Sequence, residues 1–253
     1  TNTGWGGVAS WYDDLLETGS SYQKEVILPD VMSLLVIKKG EKILDLACGQ
    51  GFFARTYKSA GADVVGVDIS RELIDIAKNY KDGIEYFVSP AHKLDFLKNA
   101  SVDKITIVLA LQNITNVPEV LSECSRVLKK GGSLIVVLNH PAFRVPKESS
   151  WGFDDVRGIQ YRRVDRYMSE LRVGIKMHPG DSNSTLTPSF HRQLQYYFKA
   201  FKAAGFVVRT IHELISNKES QPGKRAQAEN IARKEIPLFM SIEVVKICQE
   251  VKK

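Results

Sequence analysis

The chain has 253 residues, 43% of them hydrophobic, and a formal net charge of +6. That is enough apolar material for one full core with an appended lobe. Lysine and arginine never form a run of five or six, so the basic balance reads as a mixed solvated surface and gives no basic nucleic-acid tail. The three cysteines, Cys48, Cys124 and Cys248, form neither a CxxC pair nor a disulfide framework, which fits a reducing compartment. Neither a membrane span nor a targeting segment is read, and the expectation is a cytoplasmic protein.

Taken in order, residues 1–39 predict a helical lead. Trp5, Val8, Trp11, Tyr12, Leu15 and Leu16 recur at helical spacing, and a second helix is expected over 22–35, stopping near Gly40. Residues 43–47 form a short apolar run carrying one carboxylate, Asp45, as expected of a buried parallel strand. Gly49 and Gly51 follow, where the backbone can take positive φ and approach a ligand, and a helix starting at Phe52 aims its first amides into the same crevice. Two nucleotide-type readings of this turn compete. Gly49-x-Gly51-x-x-Ala54, with Asp68 17 residues beyond Gly51, fits a dinucleotide fingerprint. Asp45 weighs against it, because a pyrophosphate avoids a nearby carboxylate whereas a cationic ligand favours one.

Strands are expected over 62–67, 84–88, 102–111 and 133–138, with helices over 71–80 and 118–128. Asp68, at the carboxyl end of the second strand, is placed to accept ribose hydroxyls, and Ser70 caps the next helix. Residues 139–190 interrupt the alternation with aromatic and basic residues. Two strands, 159–168 and 171–177, are expected to pair with each other around Ser169-Glu170. A helix over 190–201, a strand over 207–212, a polar stretch over 217–235 that is partly helical at 225–234, and a final strand over 237–245 complete the pattern.

Asp45-Leu-Ala-Cys-Gly49-Gln-Gly51 resembles the first motif of class I S-adenosylmethionine-dependent methyltransferases, in particular small-molecule enzymes related to the quinone-biosynthesis C-methyltransferases. Arg126-Val-Leu-Lys-Lys-Gly-Gly132 and Ala204-Gly-Phe206 are similar to later segments of that family. The resemblance covers most of 40–138 and 190–247. It implies an α/β Rossmann-like doubly wound fold: a seven-stranded, mostly parallel sheet with the last strand antiparallel. An N-terminal helical lid (1–39), a cofactor-binding core (40–138), an inserted substrate lobe (139–190) and a C-terminal part of the core (191–253) are expected.

The implied activity is methyl transfer from S-adenosylmethionine, leaving S-adenosylhomocysteine, to a small-molecule acceptor by in-line displacement. The cofactor residues implied are Tyr12, Tyr22, Asp45, Ala47, Cys48, Gly49, Gly51, Asp68, Ile69, Ala91, His92, Leu111 and Gln112. Pro90 stands where the family usually has an aspartate for the adenine amino group, so that contact passes to His92, Ser89 or a backbone carbonyl. No metal site is expected, and Ala110-Leu-Gln-Asn113 lacks the step used by methylases of planar nitrogens. His140 and His191 are the candidate general bases. Asn113, Arg144, Trp151, Tyr161, Arg162 and Tyr196 are the candidate acceptor contacts. Two alternatives stay open: an RNA-modifying methyltransferase, and an NAD(P)-dependent oxidoreductase or non-catalytic nucleotide-binding module.

Overall fold

The computed structural model describes residues 19–176 and 186–247. A seven-stranded sheet runs in the order β10-β11-β5-β4-β1-β2-β3. Its strands are β1 (Lys42–Leu46), β2 (Asp63–Asp68), β3 (Glu85–Val88), β4 (Val102–Val108), β5 (Leu128–Asn139), β10 (Phe206–Leu214) and β11 (Phe239–Lys246). The first five pair in parallel, and β11 lies antiparallel between β5 and β10. This is the doubly wound topology expected from the sequence, with its reversed strand one place in from the edge.

Apolar runs on both faces of the central strands explain why the sheet is covered on two sides. One face packs α4 (Val117–Val127) and α5 (Leu194–Ala203), through Val120, Leu121, Cys124, Tyr197 and Phe201, onto Leu44, Leu46, Ile105, Val136 and Ile242. The other packs α1 (Leu28–Leu35), α2 (Phe52–Ser59) and α3 (Arg71–Asn79), through Val31, Phe53, Tyr57 and Ile74, onto Ile43, Val64, Ile135 and Val137. Ser70 caps α3, its Oγ accepting the Leu73 amide at 3.3 Å. Arg126 ties α4 to the loop after β3. It donates to the carbonyls of Leu94 and Leu97 and pairs with Glu123, so the family-like string has a structural use.

The lobe differs from expectation. β7 (Ile159–Val164) pairs with β6 (Ser149–Asp154), and β8 (Leu171–Lys176) pairs with β9 (Leu186–His191), so 159–168 and 171–177 each take an outer partner. Two-residue periodicity establishes that a strand exists but not which strand it meets. Here Arg166 takes φ 54° and ends the first of them. His191 accordingly lies on a strand, and α5 starts only at Leu194, whose amide donates to the Tyr167 hydroxyl. β5 begins at Leu128, earlier than expected, because Gly132 lets it run on: a Cβ there would stand 2.6 Å from the Asp103 carbonyl. The helix expected within the polar stretch is present as α6 (Ala226–Glu235).

Gly66, in the middle of β2, is a second obligatory close approach. A Cβ at this position would lie 2.5 Å from the Tyr86 ring and 3.1 Å from Cys48 Sγ. That ring is not free to swing away, because its hydroxyl donates to Asp82 at 2.9 Å. Gly66→Ala is therefore expected to cost about 1–3 kcal/mol by overpacking. Urea unfolding should show this loss, and a Tyr86→Leu background should reduce it.

Candidate active site

Three residues in five take left-handed backbone conformations after β1: Ala47 (φ 61°), Gly49 (φ 57°) and Gly51 (φ 84°). Glycine adopts this region freely, whereas a residue with a Cβ pays about 1–2 kcal/mol for it. At Gly51 a Cβ would also collide with the Tyr86 hydroxyl at 2.4 Å. Leu109, just past the neighbouring β4, is likewise left-handed at φ 52°. Both central strands thus turn sharply at their carboxyl ends, opening the crevice in which open α/β sheets hold their ligands.

The crevice is a cavity of about 710 Å³, within the range of small-molecule and cofactor sites. At its floor, Asp45 accepts from Thr106 Oγ1 at 3.0 Å, while its Oδ2 is buried without a partner among the described residues. Burial pushes the Asp45 carboxyl up to about 7, with the neighbouring Asp68 adding to the rise and the Thr106 hydroxyl and Ala54 amide opposing it. Asp68 sits at the end of β2, its two oxygens accepting the amides of Gly49 and Ser70 at 2.9 and 2.8 Å. Its carboxyl is also raised by burial. Gln50 Nε2 and Gln112 Oε1, on the cavity wall, are two more buried polar atoms without partners among the described residues. A carboxylate and two amides left unsatisfied around one cavity are the kind of deficit a polar ligand fills.

Of the expected cofactor residues, Asp45, Ala47, Cys48, Gly49, Asp68, Ile69, Ala91, His92 and Gln112 line this cavity. Gly51 shapes the turn but stands behind it, against Tyr86. Leu111 points into the core, fully buried. Tyr22 lies against Phe239 and bonds the Ser216 hydroxyl at 2.8 Å, and its neighbour Gln23 takes the place on the wall. Tyr12 falls outside the described residues.

The expected acceptor residues are largely elsewhere. Asn113 lines the cavity; Arg144, Trp151, Tyr161, Arg162 and Tyr196 do not. Arg162 lies over the Trp151 ring and donates to the Phe143 carbonyl, so it fastens the first hairpin to the chain leaving β5. Arg144 lies over Phe239, with burial and the nearby Arg162 lowering its pKa. The histidines are also held by the protein. His140 Nδ1 accepts the Ala142 amide at 3.2 Å, which leaves Nε2 to donate to Glu213 at 2.9 Å. His191 Nε2 donates to the Tyr167 carbonyl at 2.8 Å. Neither ring lines the cavity.

The second hairpin supplies the wall that sequence reasoning missed. Arg172 and Ile175 of β8, and Thr187, Pro188 and Ser189 of β9, also line the cavity. The only signal for this was the insertion itself, since strand partners decide which of its residues turn inward. The buried Arg192, next along the chain, donates through Nη2 to the carbonyls of Ile114 and Thr115 at 2.9 and 3.2 Å. It packs between the Phe190 and Tyr196 rings. This strap joins the hairpin to the loop after β4, itself part of the cavity wall.

A parallel sheet ordered 3-2-1-4-5 with an antiparallel strand inserted beside β5, and a glycine turn between two acids at the strand ends, define the class I S-adenosylmethionine-dependent methyltransferase architecture. Residues 44–136 match a family described as a methyltransferase domain. The demethylmenaquinone methyltransferase of Paenarthrobacter aurescens is 36% identical over 138 residues, which cover 53% of this chain and 53% of that protein. That of Thermotoga maritima is 39% identical over 110 residues, covering 42% of this chain and 47% of its own. The match thus spans about half the length of these curated relatives. An S-adenosylmethionine-dependent methyltransferase from Mesorhizobium loti superposes with a TM-score of 0.67 at 24% identity, over 86% of this chain and 96% of its own. That likeness extends the shared fold beyond the matched core.

Two expectations follow from the geometry. Asp45 holds its proton to about 7 in the folded protein, whereas an unfolded carboxyl releases it near 4. Between these values the folded state binds more protons, so this group makes stability fall as pH rises. Asp45→Asn should remove that component, narrowing the stability difference between pH 5 and pH 8 by on the order of 2–4 kcal/mol in urea unfolding. Arg192→Met should cost about 1–3 kcal/mol by leaving two carbonyls unpaired, and should expose the 113–116 amides to faster hydrogen exchange while those of β1 stay protected.

Proposed function

We propose that the chain is an S-adenosylmethionine-dependent methyltransferase acting on a small-molecule acceptor. The unpartnered carboxylate oxygen of Asp45 carries this reading. It belongs to a buried acid at the floor of the cavity that a cationic ligand would draw into its ionised form, so the site suits an ammonium or a sulfonium and is hostile to a pyrophosphate. The donor set fits the cofactor in other respects. Asp68, at the end of β2, keeps lone pairs for ribose hydroxyls after accepting two backbone amides. Ile69, Ala91 and His92 flank it for the base, and Gln112 offers a free amide oxygen. Ser89 Oγ already donates to the Lys93 carbonyl, so only its lone pairs remain for the adenine amino group.

When bound, S-adenosylmethionine supplies an activated methyl whose bond to sulfur breaks with the electron pair returning to sulfur as the acceptor's lone pair forms the new bond. The protein's part is alignment and exclusion of water, which in well-ordered sites contributes on the order of 7–11 kcal/mol. Asp45 and Asp68 fix the cofactor end. Asn113 and the β8–β9 wall face the space where an acceptor lies. The relatives named for demethylmenaquinone favour a small organic acceptor over a nucleic acid.

Calorimetric titration with S-adenosylmethionine, S-adenosylhomocysteine and NADH side by side tests the reading. The first two should bind and NADH should not; NADH binding, or no binding by any of the three, would overturn it. Asp68→Ala is expected to weaken S-adenosylhomocysteine about 10–100-fold through lost charge-assisted hydrogen bonds while the circular dichroism spectrum stays unchanged. At pH 6, wild-type protein should release protons on binding as the ligand's ammonium displaces the Asp45 proton. Titrations in buffers of different ionisation enthalpy read this directly, and Asp45→Asn should abolish the release.

A further inference from the structure

Where the β6–β7 hairpin meets the chain leaving β5, two arginines stand together without a carboxylate. Arg162 lies across the ladder from Trp151, its guanidinium 5.2 Å from the centroid of that ring. Its Nε donates to the Phe143 carbonyl at 2.9 Å and its Nη2 to Ser149 Oγ at 2.7 Å. These bonds fix the plane of the guanidinium and leave Nη1 without a partner among the described residues. Arg144, one residue past that carbonyl, is half-buried and lies over the Phe239 ring, 5.5 Å from its centroid. Among the described residues no acid pairs with either of them, unlike Arg126, Arg163 and Arg209, each of which has one within 3 Å. Burial lowers the pKa of Arg144 and the neighbouring Arg162 lowers it further, with Tyr22 opposing.

A third cation stands nearby. Tyr22 and Phe239 meet edge to face at 5.6 Å, and Lys218 Nζ lies over the Tyr22 ring, 4.9 Å from its centroid. The acids of these segments are engaged with other groups. Glu213 accepts from His140 Nε2 at 2.9 Å, and Glu148 lies 3.8 Å from Arg166. Glu25, which Lys218 also attracts, accepts from Asn217. Like charges gathered on a partly desolvated aromatic surface repel one another, and a multivalent anion turns that repulsion into attraction. A guanidinium already held in its plane gives up little freedom on binding one.

We propose that Arg144 and Arg162, with Lys218 at the edge, form a binding site for a phosphate-type dianion, either free phosphate or a phosphate monoester. Two guanidiniums and a lysine exceed the charge of one carboxylate and match a dianion. Neither arginine lines the cavity between the strand ends, so this site is separate from it and stands independently of the methyltransferase reading.

The test is calorimetric titration of the full chain at pH 8 and constant ionic strength with inorganic phosphate, phenyl phosphate and benzoate. Wild-type protein is compared with Arg144→Gln, Arg144→Lys and Arg157→Gln, the last removing an exposed arginine at the tip of the same hairpin. Phenyl phosphate should bind wild-type protein ten times or more tighter than benzoate. Affinity for the phosphates should fall tenfold or more in Arg144→Gln and about threefold or more in Arg144→Lys, which keeps the charge but loses the fork, and stay within twofold in Arg157→Gln. Phenyl phosphate binding tighter than inorganic phosphate assigns the site to a monoester, and the reverse order or equal affinity assigns it to free phosphate. Failure of both phosphates to bind overturns the proposal, as does benzoate binding as tightly as phenyl phosphate. A loss in Arg157→Gln equal to that in Arg144→Gln also overturns it, because diffuse surface charge then accounts for the binding. If circular dichroism shows Arg144→Gln unfolded, Arg144→Lys decides alone, and unchanged phosphate affinity in that variant overturns the site.

Discussion

A carboxylate buried at the end of the central strand is the constraint around which the site is built. Asp45 is 2% exposed, and among the described residues its only hydrogen-bonding side-chain partner is Thr106 on the adjacent strand. A buried, half-satisfied acid is costly, and a sequence selected for stability alone would place an aliphatic residue there, as Leu44 and Leu46 stand on either side. The surrounding structure accepts further costs for the same end. Ala47 and Leu109 are left-handed residues without glycine's freedom, and Gln50 and Gln112 carry buried atoms without partners. Such violations gathered at one crevice mark a place where folding has been compromised for binding.

The rest of the molecule absorbs those costs. Both faces of the sheet are covered by helices; β4, which leads into Leu109, is its central strand, β1 with Asp45 lies beside it, and β2, ending at Asp68, is flanked by β1 and β3. Tyr86 closes the back of the glycine turn, pinned by Asp82, so the turn is held from behind as well as by its own dihedral angles. The strand ends are therefore rigid, and variation is left to the segments that join them.

Much of this was legible in the sequence, for a physical reason. β1, β2 and their turns are local: apolar runs, an acid at a fixed place and glycines where φ must be positive all lie within a few residues of one another. Asp45, Gly49 and Asp68 could be placed on the crevice from that pattern alone. The acceptor wall could not. Whether Arg162 or Arg172 faces the cavity depends on β7 pairing backwards to β6 and β8 pairing forwards to β9, and on which face of each two-stranded ribbon is covered. The surroundings of the histidines were hidden for a related reason: position near a strand end does not reveal that His140 is held by Glu213 and the Ala142 amide, or His191 by the Tyr167 carbonyl.

The Arg192 strap fastens to main-chain oxygens of residues 114 and 115, not to their side chains. Nearly every amino acid presents the same carbonyl, so the identities of Ile114 and Thr115 can change while the fastening persists. Both residues face the cavity. The architecture thereby separates what holds the pocket together from what the pocket reads, and divergence toward new acceptors can proceed by single substitutions there without first disassembling the lobe.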